Sequence, residues 1–213
     1  MTADRLVPYS KPFVFLLCLV PMGLLVRKGV EGLLGANPIE VITHSTGDWT
    51  LIFLCITLSI TPLRRLLGLP WLVRYRRMTG LFAFFHGFLH FMTYIWLDQF
   101  FNVHSMIKDV AKRPFITAGF TAFMLMVPLA ITSTAGMIRR LGGRRWRILH
   151  RLIYVSACAG VIHYYWLVKA DETLPLRFAA IVGALLACRA VFYFRDRRRP
   201  AGAPAAEHAE RVT

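Results

Sequence analysis

From Met78 to Leu97 the chain runs twenty residues without a charged side chain. A helix needs about 20 apolar residues to cross the hydrocarbon core of a bilayer, so this run constrains the fold more than any short motif. Five others accompany it. The six apolar segments lie at roughly 12–29, 46–63, 78–97, 115–138, 147–168 and 174–194. Each is too long for a strand, and none alternates with the two-residue period of a membrane barrel. The expected fold is an all-α integral membrane protein, a six-transmembrane-helix bundle over residues 12–194. Composition agrees: 56% of residues are hydrophobic and the mean hydropathy is +0.52, more apolar sequence than a soluble core of 213 residues requires.

The formal charge of +15 would suggest nucleic acid in a soluble protein. Here the basic residues crowd into short loops between apolar segments. Arg64, Arg65, Arg74, Arg76 and Arg77 follow the second segment, and Arg139, Arg140, Arg144, Arg145 and Arg147 follow the fourth. Arg195, Arg197, Arg198 and Arg199 follow the sixth. The opposite loops hold most of the acids, among them Glu31, Glu40, Asp98, Asp109, Asp171 and Glu172. This asymmetry predicts that the Arg-rich loops and both termini are cytoplasmic, with anionic lipid rather than nucleic acid as the partner of the charge.

Residues 1–11 are then a cytoplasmic N-terminus and 195–213 a basic, disordered cytoplasmic tail. Arg189, near the inner end of the sixth segment, is expected to snorkel. The first apolar run has no small-residue cleavage site after it and is expected to be a retained helix. Cys18, Cys55, Cys158 and Cys188 all lie in apolar segments without paired spacing and read as small core residues.

Histidines inside spans are costly and mark function. The third segment carries His86 and His90, the fifth His150 and His163. If both segments run outward, His90 lies about 12 Å below the outer end at Asp98, and His163 about 9 Å below Lys169. The two are nearly level, so one haem slotted between these helices could take an axial ligand from each. His86 and His90, four residues apart, share one helix face and cannot ligate opposite faces of one ring. No third ligand nearby favours zinc.

His150 is thirteen residues before His163, about 20 Å and about 140° away on a straight helix, and near the inner Arg cluster. His44, His104 and His208 fall in loops or tail and read as solvated. From the residues alone, haem ligation, a proton-coupled transport role and satisfied core histidines all stay open.

The segments RRMTGLFAFFHGFLHFMTY, LAITSTAGMIRRLGGRRWRILHRLIY and VIHYYWLVK resemble the MsrQ (YedZ) family. Its members are haem-binding membrane subunits of bacterial MsrPQ methionine sulfoxide reductase systems, and they belong with the ferric-reductase-like transmembrane domains. In the wider family, histidines paired across two helices hold stacked haems. The resemblance carries over to His90, His150 and His163. The second third-helix histidine has no counterpart here, so the expectation is one b-type haem near the outer face, with a second, inner haem open.

The resemblance also implies a bound FMN, electrons from the quinone pool or a separate cytosolic flavin reductase, and delivery to MsrP. MsrP is a periplasmic molybdopterin enzyme that reduces methionine sulfoxide in oxidised proteins. The setting it implies is the inner membrane of a Gram-negative bacterium. No flavin–nicotinamide domain follows Arg199, so an electron-transfer subunit is expected, with substrate reduction on the partner. Arg76 and Arg77, with His150, are the candidates for a flavin phosphate, because Arg offers bidentate donors; their place in a topogenic loop explains them equally well. Another ferric-reductase-like electron carrier is the nearest alternative function.

Overall fold

The computed structural model describes residues 3–168 and 171–198. The described residues form nine α-helices, a 3-10 turn and a π-helical turn, with no strand among them. Helix α1 spans Ala3–Val30, α2 Pro38–Leu67, α3 Arg76–Met92, α4 Val103–Lys112, α5 Pro114–Ile131, α6 Ala135–Leu141, α7 Gly143–Leu149, α8 Leu152–Leu167 and α9 Thr173–Arg198. The 3-10 turn Pro70–Tyr75 leads into α3, and the π-turn Thr93–Asp98 extends it.

Among the described residues, five stretches are long and apolar enough to cross a membrane: Val7–Val30, Pro38–Leu67, Pro70–Asp98, Pro114–Ile131 and Thr173–Arg198. Large apolar side chains such as Leu16, Leu24, Val155, Trp166, Ile181 and Val191 are exposed on the helix surfaces. In water such surface would aggregate, whereas in lipid it is the solvated face.

Local signals account for the boundaries. Asn37 caps α2 by accepting from the Glu40 amide at 3.4 Å, and Pro38 opens the helix, where its missing N–H is no loss. Gly68 ends α2 in the left-handed region at φ 65 and returns its N–H to the Arg64 carbonyl, as a glycine at that position does without Cβ strain. Asn102 caps α4 through the Ser105 amide at 3.0 Å.

Helix boundaries differ from the sequence expectation at several places, among them the start of α2, which lies at Pro38 rather than near residue 46. The helix α1 begins at Ala3, so most of residues 3–11 extends the first helix. The fourth segment ends at Ile131, where Thr132 donates its hydroxyl to the Pro128 carbonyl at 2.6 Å; residues 135–141 form the separate α6. The fifth segment is broken at His150 and Arg151, between α7 and α8, so the straight-helix relation between His150 and His163 does not hold. Of the expected tail, residues 195–198 continue α9, while 199–213, with Arg199 and His208, lie outside the described residues, as does Lys169.

Packing organises the helices into two close pairs. Helix α2 lies along α3, and α5 lies along α8; α3 meets α5, and α9 closes against α2 and α8. Small residues permit this approach, as they do in membrane bundles generally. Ala83 and Ala157 are fully buried, and Ser156 donates to the Ala122 carbonyl at 2.9 Å across α5 and α8. Leu54, Leu58, Phe82, Phe123 and Met126 fill the space between the pairs. At one end the Arg65 guanidinium meets Asp196 at 2.8 Å and lies over the Phe192 ring, joining the last turns of α2 and α9.

Candidate cofactor sites

Each helix pair turns one histidine toward its partner helix in the wall of a common cavity. His90 on α3 turns toward its partner α2, where its Nδ1 lies 2.9 Å from the Thr43 carbonyl oxygen. His163 on α8 turns toward α5, with Nδ1 2.6 Å from the Phe115 carbonyl oxygen. A carbonyl only accepts, so Nδ1 carries the proton in both rings. Each Nε2 keeps its lone pair and has no hydrogen-bond partner among the described residues. A backbone carbonyl on the remote nitrogen is the usual way a metal-binding imidazole is oriented and made more basic.

The two rings face each other with centroids 6.0 Å apart and planes crossed at 73°. A metal–imidazole bond of about 2 Å, with roughly 1 Å more to the ring centre, puts two trans imidazoles about 6 Å apart. The centroid spacing of the pair therefore suits an iron held between the two rings. The cavity it lines has a volume of ≈ 550 Å³, within the range of roughly 300–1,000 Å³ usual for cofactor sites.

Gly87, Ser156 and Gly160, small residues of α3 and α8, line the same cavity. A methyl group on Gly87 would meet Met126 Cε at 2.8 Å, and one on Gly160 would meet Leu51 at 3.2 Å. Two further glycines sit under the imidazoles themselves. A Cβ on Gly47 would lie 3.2 Å from the His90 ring, and one on Gly119 only 2.7 Å from His163 Nδ1.

Arg76, Arg77 and His150 meet in a second, smaller cavity of ≈ 200 Å³, with Trp146 and Ser133. The break between α7 and α8 carries His150 there. Its ring stacks on Trp146 with centroids 3.9 Å apart, and its Nε2 lies 3.1 Å from the Thr132 hydroxyl. That hydroxyl gives its own hydrogen to the Pro128 carbonyl, so it accepts from His150. The Nε2 of His150 is thus engaged, unlike those of His90 and His163. Trp146 is held in turn by its indole N–H, which donates to the Thr132 carbonyl at 2.9 Å. Arg76 is half-buried and Arg77 exposed.

Met126 lines both cavities. Phe84, on the wall of the smaller one, stacks on Phe123 at 5.7 Å, and Phe123 stacks on Phe91 in the wall of the larger one at 4.6 Å. One layer of side chains separates the two spaces.

The remaining ionisable groups divide differently from the sequence expectation. His86 is buried among Phe53, Phe85 and Trp49 with both ring nitrogens unpartnered among the described residues. It lines neither cavity, and no cluster of three His, Cys, Asp or Glu side chains suited to a metal ion occurs among the described residues. His44, expected in a solvated loop, lies instead in α2 but stays exposed, and it lines the larger cavity beside Asp48.

Arg189 does not reach outward. It donates to the Leu58 carbonyl at 2.6 Å and to the Tyr154 hydroxyl at 2.8 Å, tying α9 to α2 and α8. Thr43, Gly47, Phe115, Gly119, Thr132 and Trp146 were not singled out from the sequence. An isolated glycine inside an apolar helical run usually marks a close approach, and that signal was present at Gly47 and Gly119.

Comparison with known proteins bears on the same segments. Residues 46–161 match the family model described as ferric reductase like transmembrane component. The chain is 55% identical over 191 residues to the protein-methionine-sulfoxide reductase heme-binding subunit MsrQ of Herminiimonas arsenicoxydans, covering 89% of this chain and 88% of that one. It is 52% identical over 190 residues to the subunit of the same name from Ralstonia nicotianae, covering 88% of each. The corresponding Rhodospirillum rubrum protein is 53% identical over 185 residues, covering 87% of this chain and 89% of its own. Coverage of this extent on both sides, with the matched region enclosing His90 and His150 and ending two residues before His163, shows that the chain belongs to the MsrQ family of ferric-reductase-like transmembrane proteins.

Proposed function

We propose that the protein is a b-type haem membrane subunit that passes electrons across the inner membrane of a Gram-negative bacterium to a periplasmic methionine sulfoxide reductase. One observation carries the reading: His90 and His163 face each other across a cavity at the spacing of two trans imidazoles, each with Nδ1 tied to a backbone carbonyl. His90 and His163 would hold the haem, which, with both its ligands supplied by protein, would supply one-electron transfer rather than oxygen chemistry.

In this reading α8 is the sixth span. Its 16 residues rise about 24 Å, short of the roughly 30 Å core, and α7 with the break at His150 makes up the inner portion. Both termini and the Arg-rich end are cytoplasmic. Arg76, Arg77 and His150 then form the entry side. Their charge suits the phosphate of FMN or the headgroup region of a quinone donor, through charge-assisted hydrogen bonds from Arg. The thin wall of Met126, Phe84 and Phe123 supports a short route to the outer pair. The recipient is the molybdopterin-containing MsrP, and the donor is the quinone pool or a flavin reductase.

The test is the reduced-minus-oxidised visible spectrum of the purified chain, with haem quantified per polypeptide. A b-type spectrum absent from both His90→Ala and His163→Ala is expected. A colourless wild-type protein, or a spectrum that survives either substitution, removes the ligand assignment.

A further inference from the structure

We propose that Gly47 and Gly119 are positioning residues that hold the two imidazole planes crossed and so set the electronic character of an iron between them. The inference rests on the bis-His reading of His90 and His163.

The two sides of the cavity repeat one device. On α2, the Thr43 carbonyl accepts from His90 Nδ1, and Gly47, four residues later, lies beneath the same ring. On α5, the Phe115 carbonyl accepts from His163 Nδ1, and Gly119, again four residues later, lies beneath that ring. Residues four apart stack on one helix face, so a carbonyl and a bare Cα one turn on make a saddle for a flat ring. The carbonyl fixes the direction of the Nδ1–H bond, and the bare Cα lets the ring lie against the helix backbone.

The saddles are tight. Cβ atoms essentially never approach as closely as the 2.7 and 2.9 Å that a methyl on Gly119 would make with Nδ1 and Cε1 of His163, with Cγ at 3.0 Å besides. The ring would have to turn or lift, and the bond to Phe115 would go with it. A methyl on Gly47 would sit 3.2 Å from both Cε1 and Nδ1 of His90, a milder displacement of a few tenths of an ångström. By contrast, a methyl on Gly183 in α9 meets nothing within 4 Å.

The 73° crossing of the rings has a spectroscopic consequence. Parallel axial imidazoles split the two iron d orbitals that overlap with their π systems and give a three-line rhombic low-spin ferric signal. Crossed planes leave those orbitals nearly degenerate and give a highly anisotropic signal dominated by one large g value. Loss of a carbonyl partner from Nδ1 also makes the imidazole a poorer donor, which favours the ferrous state.

The test is low-temperature electron paramagnetic resonance of the oxidised full-length protein, with haem content and midpoint potential measured on the same samples. The wild type and Gly183→Ala should show the single large-g signal. Gly119→Ala should shift it toward the rhombic form and raise the potential. Gly47→Ala, the gentler intrusion, should shift it in the same direction by less and serves if Gly119→Ala does not accumulate.

A rhombic wild-type signal overturns the inference. So does a signal unmoved in both glycine variants, or one moved equally by Gly183→Ala. Those results leave the bis-His reading intact, provided the low-spin signal still disappears in His90→Ala and His163→Ala. A low-spin signal that persists in those variants instead removes the reading beneath it.

Discussion

The two cavities of this protein hold histidines in opposite states of readiness. In the larger, His90 and His163 each bind a backbone carbonyl through Nδ1 and keep Nε2 free. In the smaller, His150 spends Nε2 on Thr132 and lies flat on Trp146, with Arg76 and Arg77 around it. The first arrangement leaves two imidazoles with their Nε2 lone pairs unused, as a metal would need them; the second is a basic, aromatic recess suited to an anionic or planar group. A buried histidine in a membrane helix is therefore not yet a ligand. Which nitrogen the surrounding backbone claims decides what it can do.

The contrast is open to direct attack. The largest expected effect separates the two sites outright: His163→Ala abolishes the haem spectrum, whereas His150→Ala leaves the outer bis-His signal in place. Haem per chain, measured for both variants, checks this, and equal loss in both would erase the distinction drawn here.

Met126→Ala removes the side chain common to both cavities and merges them. Truncating a buried Met to Ala costs about 2–5 kcal/mol, and thermal unfolding in detergent should register it. A stability unchanged by the substitution would mean that Met126 does not pack as the dividing wall.

Arg76→Gln acts on the smaller cavity alone. A charge-assisted hydrogen bond contributes about 1.5–3 kcal/mol, so FMN affinity measured by fluorescence titration should fall roughly tenfold to hundredfold while the haem spectrum stays. Unaltered affinity would return Arg76 to a purely topogenic role.

The smallest effect is expected at Arg65→Ala. Its pair with Asp196 is partly exposed, and such pairs contribute below about 1 kcal/mol. Unfolding that shifts by much more would show that the ends of α2 and α9 are coupled more strongly than their contact suggests.

The sequence displayed the larger cavity's histidine pair better than the smaller cavity's cluster. His90 and His163 were visible as level histidines because helical rise converts residue number into depth, and depth is a local property of each helix; the structure brings them to one cavity. The joining of Arg76, Arg77 and His150 in one recess was visible only as a common proximity to the basic loops. The break at His150 had no proline or glycine at the position to announce it. The hydrogen bonds of Trp146 and His150 to Thr132 tie that segment to the end of α5, a contact the sequence does not show. Arg189 illustrates the same limit. Its position near an apolar helix end suggested a side chain reaching for water, and the neighbouring Leu58 carbonyl and Tyr154 hydroxyl captured it instead.

By itself, then, the sequence determined an all-helical chain with runs of membrane-crossing length, the segregation of arginine to alternate loops, and two histidines at matching depth. Hydropathy, charge and helical rise act along one segment at a time, so no knowledge of neighbours was needed. Only the tertiary structure decided that α2 pairs with α3 and α5 with α8, and that Thr43 and Phe115 offer the carbonyls. It alone decided that Gly47 and Gly119 lie beneath the rings. Those outcomes depend on the rotation and register of one helix against another, set by the combined packing of small residues such as Ala83, Ser156, Ala157 and Gly160 rather than by any single stretch of chain.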